Sequence, residues 1–172
     1  MGVFKEAVMK RVLLTALIAA VVLPFGLRAQ AKPDFSGTWT LDAAKSDPPP
    51  QGRGGGGGGG MGAGSLTIKQ TGNELTITSE GRQGPVTMTY KLDGSESTNQ
   101  VMGRGGAQTV KSTAKWDGSS LVIETTRDFN GTSITTKEVR RLDNGGKEMH
   151  VETTAQTPNG EQKRKVVYTK GA

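Results

Sequence analysis

From Phe35 to the C-terminus the chain repeats one pattern, short runs of alternating apolar and polar residues separated by turns rich in Gly, Asn and Asp. A spacing of two sends successive side chains to opposite faces of a strand, whereas an amphipathic helix would repeat its apolar residues every three or four. The runs are GTWTLD (37–42), SLTIKQ (65–70), ELTITSE (74–80), VTMTYKL (86–92), QTVKSTAKW (108–116), SLVIETTRDF (120–129), TSITTKEVRRL (132–142), KEMHVETTAQ (147–156) and EQKRKVVYTK (161–170). Thr71-Gly72-Asn73, Asp117-Gly118, Asn130-Gly131, Asp143-Asn144-Gly145-Gly146 and Thr157-Pro158-Asn159-Gly160 separate several of them. These are tight-turn signals, because Gly, Asn and Asp tolerate positive φ. Strands joined so closely pair antiparallel, and about nine of them form a meander. Closing such a sheet on itself removes its two edges. The expected fold is therefore all-β, an up-and-down antiparallel β-barrel of about 8–10 strands.

The barrel is preceded by a segment of another kind. Lys10-Arg11 leads into the apolar run VLLTALIAAVVLPFGL (12–27), and Ala29-Gln30-Ala31 follows. A basic start, a short apolar core and a small-x-small end describe a secretory signal peptide over residues 1–31, cleaved after Ala31. The apolar run falls short of the roughly 20 residues of a membrane-spanning helix, so no stable span is expected once it is removed. Met9 offers a second start, with residues 1–8 as an over-extension. Four of the 22 basic residues and one of the 16 acidic ones leave with the peptide, which reduces the net charge from +6 to +3. The remaining charges are interspersed, without the basic face and aromatic platforms of a nucleic-acid binder, so no nucleic-acid partner is expected. The chain has no cysteine, hence no disulfide, thiolate metal site or lipid-anchored Cys. Secreted or periplasmic residence follows as the expected localisation.

The apolar face of the strands carries polar residues as well. Thr125, Arg127, Thr136, Glu138, Arg140 and Thr153 fall on the same side as Leu121, Ile123 and Val151. Two readings are open. Either the barrel has a half-polar lumen that holds water and a ligand, or a one-residue bulge turns these side chains outward. Under the first reading Arg127, Arg140 and the inward-facing Tyr90 are expected ligand contacts.

The segment FSGTWTLD (35–42) resembles the Gly-x-Trp opening of the lipocalins and fatty-acid-binding proteins. KWDGSSLVIETT (115–126) and VVYTK (166–170) are similar to the late hairpin and final strand of the fatty-acid-binding proteins. The resemblance covers the mature chain in strand order and implies a calycin β-barrel, in a secreted bacterial lipocalin-like protein. It makes Gly37 the residue that permits a close turn and Trp39 the plug of the closed end. It also makes Tyr168 a ligand contact. The family pattern has an Arg two residues before that Tyr, where this chain has Val166. Arg164, two residues further back, is the implied anion partner, or else the Arg that packs across the plugging Trp. Ordinary core packing is the alternative for all three side chains.

Enzymatic constellations are scarce. His150 is the single histidine and lies on the outer face beside Glu148 and Glu152, which a strand spaces about 6–7 Å apart. That is too spread for a metal ion, and exposed surface is the expectation. No metal site, cofactor or enzyme activity is expected. A charge pair of Glu138 with Arg127 or Arg140 in the barrel mouth is the remaining catalytic arrangement. The leading reading is an exported lipocalin-like barrel that binds a small hydrophobic or amphipathic molecule. The alternative is a structural or protein-interaction barrel of the cell envelope with no small ligand. The stretch QGRGGGGGGGMGAG (51–64) precedes a strand, not a helix, so it is no phosphate loop. Residues 46–64 are expected to be a Gly-rich disordered loop, inside one domain spanning 32–172, where the fatty-acid-binding proteins carry two lid helices.

Overall fold

The computed structural model describes residues 32–48, 63–81, 84–103, 106–129, 132–157 and 160–171, without the side chains of Phe129 and Thr132. The expected signal peptide (1–31) and the core of the Gly-rich loop (49–62) lie outside the described residues. Ten antiparallel strands follow one another: β1 (Gly37–Leu41), β2 (Ser65–Gln70), β3 (Glu74–Gly81), β4 (Gly84–Lys91), β5 (Glu96–Gly103), β6 (Gly106–Asp117), β7 (Ser120–Phe129), β8 (Thr132–Asp143), β9 (Glu148–Thr157) and β10 (Gly160–Lys170). Their order in the sheet is β4-β3-β2-β1-β10-β9-β8-β7-β6-β5, so β1 pairs with both β2 and β10 and the sheet curls into a nearly closed barrel.

Nine runs of alternation correspond to nine of these strands; β5 had no signal. Its inward positions, Ser97, Asn99 and Val101, include a single apolar residue. The two polar ones bond across the seam to β4, which the sheet order places at the opposite end of the ladder. Thr89 N–H donates to Asn99 Oδ1 (2.8 Å), Asn99 Nδ2 donates to the Thr89 carbonyl (2.9 Å), and Lys91 N–H donates to Ser97 Oγ (2.8 Å). Side chains thus replace the main-chain ladder along this one seam. Asn99→Leu strands both polar groups of Thr89, a loss of about 1–3 kcal/mol. The expected result is a lower urea midpoint and Thr89 amide exchange about tenfold faster or more. Unchanged protection at Thr89 would show that the seam does not depend on Asn99.

The barrel has two unlike ends. The turns at 71–73, 92–95, 118–119 and 144–147 gather at one end with the two chain ends of the fold, and the opposite ends of the strands face the other way. At the first, Asn144, Gly145 and Gly146 take φ of 50°, 64° and 81°, a run of left-handed residues that Asn and Gly accept with little strain. Pro33 to Ser36 cross this end, held by Gln70. Its Oε1 accepts from Phe35 N–H (3.0 Å), its Nε2 donates to the Pro33 carbonyl (2.9 Å), and its own N–H donates to Ser36 Oγ (3.0 Å). Phe35 and Trp39 are fully buried beneath, and the Phe35 ring stacks on Trp116 with centroids 6.1 Å apart.

Past Leu41 the chain continues along β10. Asp42 N–H donates to the Val167 carbonyl (2.8 Å), Val167 N–H to Ser46 Oγ (2.9 Å), and Lys165 N–H to Asp47 Oδ2 (2.6 Å). On the far side of the loop, Leu41 N–H donates to the Gly64 carbonyl (2.9 Å). Ser46, Asp47 and Gly64, which the sequence places in the disordered loop, are therefore bonded into the barrel wall.

Candidate functional site

The registers of β6 to β10 run without a slip, which excludes the outward-turning bulge. Ala114, Ile123, Glu138, Thr153 and Arg164 stand side by side across the five strands. The next row toward the closed end is Trp116, Leu121, Arg140, Val151 and Val166. No bulge turns the polar residues outward. They share the inner face with the hydrophobic core.

Arg140 is the centre of this arrangement. Its side chain is 1% exposed, and its Nη2 and Nε donate to Glu138 Oε2 at 2.6 and 3.1 Å. Burial alone would push the guanidinium pKa down, but Glu138 and then Tyr90 offset it and the net direction is up. Arg140 Nη1 is buried without a hydrogen-bond partner among the described residues. Tyr168, also fully buried, lies within electrostatic reach of Arg140. Tyr90 is buried across the lumen, and that burial pushes its phenol well above the ordinary value, so it stays a neutral hydroxyl. Arg127, two inward positions from Ile123 on β7, is half-buried. Its pKa is lowered by burial and raised in part by Tyr90 and Glu138.

Four of the five sequence-derived contacts, Tyr90, Arg127, Arg140 and Tyr168, thus surround Glu138 or Arg140. Arg164 stands apart. It is half-buried on β10, and its Nη2 lies 3.5 Å from the Asp47 carbonyl. A pocket of about 320 Å³ opens here, lined in part by Asp47, Thr153, Lys163 and Arg164. The cation over the Trp39 ring is Lys170, with Nζ 5.3 Å from the centroid, and not Arg164. Lys170 also explains the glycine of the Gly-x-Trp opening. Gly37 has φ +133°, and a Cβ there would lie 2.7 Å from Lys170 Cε. The lysine stem passes over Gly37 on its way to the ring. Trp39 itself donates Nε1–H to the Phe35 carbonyl (2.8 Å).

His150 is not the exposed surface residue expected. Its side chain is only 14% exposed, on the outer face, with Nε2 3.5 Å from Glu148 and 3.7 Å from Asp143. The adjoining 42–47 segment accounts for part of the difference, since Lys45 reaches Glu148 at 2.7 Å. Among the described residues no group of three or more His, Asp or Glu is placed to hold a metal ion, and no helix is long and apolar enough to cross a membrane.

No protein-family model and no curated protein matches the sequence. Solved structures match through the fold. Zebrafish ileal bile acid-binding protein in complex with cholic acid is 16% identical, with 80% of this chain and 98% of that one covered at a TM-score of 0.50. Fatty-acid-binding protein 1 of Echinococcus granulosus is 14% identical, with the same coverage and TM-score. Lipid binding protein 8 of Caenorhabditis elegans is 9% identical over 80% of this chain and 95% of that one, with a TM-score of 0.51. The chain therefore has the calycin barrel fold of the fatty-acid-binding and bile-acid-binding proteins.

Proposed function

We propose that this protein is an exported carrier that holds a small hydrophobic or amphipathic molecule in its barrel. The observation that carries this reading is the polar cluster on the inner face. A barrel held only by packing has no use for a fully buried arginine, a glutamate and two buried tyrosines, because burying such groups is costly unless something else requires them. The structural neighbours bind a bile acid, fatty acids or lipid by their own names, which supports the same use of the fold. In this reading Tyr90 and Arg127 face the ligand, the fully buried Arg140 and Tyr168 hold the base of the site, and Arg164 borders its rim. Export to the periplasm or medium rests on the Lys10-Arg11 start, the apolar run 12–27 and Ala29-Gln30-Ala31.

Native mass spectrometry of protein recovered from its own host, outside the cytoplasm and without detergent, tests both parts. The expected spectrum shows a chain beginning at Lys32 with a bound amphiphile that organic extraction releases. A ligand-free mass together with a captured protein would instead favour a structural barrel of the envelope.

A further inference from the structure

We infer that the outer half of β10, away from Trp39, is a docking edge for a short acidic peptide that adds to the barrel as an extended strand. This goes beyond the carrier reading and does not depend on it. β1 has 5 residues and β10 has 11, so β1 pairs only with Tyr168, Thr169 and Lys170. Further along, the 42–47 segment takes over. Asp42 and Asp47 N–H donate to the Val167 and Lys165 carbonyls, and Ser46 Oγ and Asp47 Oδ2 accept from Val167 and Lys165 N–H.

The main-chain groups of Val167 and Lys165 therefore point away from β9. The register with β9 continues unbroken to Gly160, so by the alternation of an antiparallel pair those of Lys163 and Glu161 point the same way. Nothing among the described residues bonds to them, and Glu161, Gln162 and Lys163 are exposed. The chain's own loop cannot carry the ladder on. Pro48, Pro49 and Pro50 come next, and none has an N–H to donate.

The chemistry of this edge selects the partner. Lys163, Arg164 and Lys165 follow one another along it, and the acids nearby are already engaged. Glu161 holds Lys163 at 2.9 Å, Glu152 holds Arg141 at 2.9 Å, and Asp47 accepts from the Lys165 amide. Arg164 and Lys165 have no carboxylate partner among the described residues, and Arg164 Nε is buried without a hydrogen bond. Arg164 also lines the 320 Å³ pocket beside the edge, where a carboxylate of the added strand would reach it. Main-chain pairing supplies the attachment and the cations set the preference for acidic side chains.

NMR titration of the isotope-labelled protein with the capped peptide Thr-Glu-Val-Glu-Val-Glu-Thr tests this. The Glu161 and Lys163 amides are expected to shift, with exchange slowed about tenfold or more and a Kd tighter than about 1 mM. The same peptide with lysine in place of each glutamate should bind at least about tenfold more weakly. Lys163→Pro removes an N–H that faces outward, which a strand edge tolerates, and should abolish the shifts. Should that variant fail to fold, Arg164→Gln gives the second reading, an affinity about three- to tenfold lower. Unmoved amides at 161–165 with the peptide at about 1 mM would overturn the inference. Equal binding of the lysine peptide would do the same, as would shifts that grow with protein concentration alone, which would assign the edge to a second copy of the chain. A lipid in the lumen is compatible with any of these outcomes, so the carrier reading stands or falls separately.

Discussion

Glu138→Ala is expected to cost about 3–5 kcal/mol of unfolding free energy. The reason is what it leaves behind. Arg140 is fully buried, and two of its nitrogens donate to Glu138 Oε2. Without that carboxylate the guanidinium stays in a low-dielectric interior with no counter-ion, flanked by Leu121 and Val151 on the neighbouring strands. The pair itself adds little net stability, because removing two charges from water costs about as much as their attraction returns. The double variant Glu138→Leu with Arg140→Met is therefore expected within about 1–2 kcal/mol of the unmodified protein, in either direction. Urea unfolding of the three proteins distinguishes the two statements. A single variant as stable as the parent would mean that water or another anion reaches Arg140, contrary to its sealed position.

Trp39→Ala should lose a similar amount, about 3–5 kcal/mol, by a different mechanism. Trp39 is fully buried at the closed end within the hydrophobic core, so its truncation leaves a cavity. The substitution also leaves the Phe35 carbonyl without its donor and removes the ring beneath Lys170. Trp39→Phe keeps most of the volume, so its expected cost is smaller, about 1–3 kcal/mol. Equal urea midpoints for the alanine and phenylalanine variants would argue that the end wall is not packed around this residue.

How much of this was legible beforehand differs from strand to strand, for physical reasons. Alternation marked nine strands because their inward positions pack, and packing needs apolar residues at a spacing of two. β5 was silent because Ser97 and Asn99 hydrogen-bond to β4 instead, and bonding leaves no apolar trace. The polar residues of β7, β8 and β9 were visible but ambiguous. One slipped residue would have turned them to solvent, and only the continuous registers exclude it. Tyr90, Arg127 and Arg140 could be placed on the inner face from the pattern, and Tyr168 was singled out by the resemblance to the fatty-acid-binding proteins. That Glu138 would take up Arg140 directly was readable only as one of two pairings. Lys170 over Trp39 was not readable, because it depends on the register between β1 and β10, strands more than 120 positions apart in the chain.

The seam between β4 and β5 and the junction between β10 and β1 have complementary weaknesses. At the first the ladder is missing, yet the two strands are joined by the short connection at 92–95, whose ends cannot drift apart. At the second the covalent link is missing, and main-chain pairing of Trp39, Thr40 and Leu41 with Lys170, Thr169 and Tyr168 takes its place. Short loops keep their ends at high effective concentration, so a few side-chain bonds suffice to hold the first junction. The second must recruit its partner from the far end of the polypeptide. The ring is therefore completed late, once the last strand has been made. A chain with new ends in the 92–95 turn would read β5 to β10 and then β1 to β4, the order in which the sheet itself is laid out.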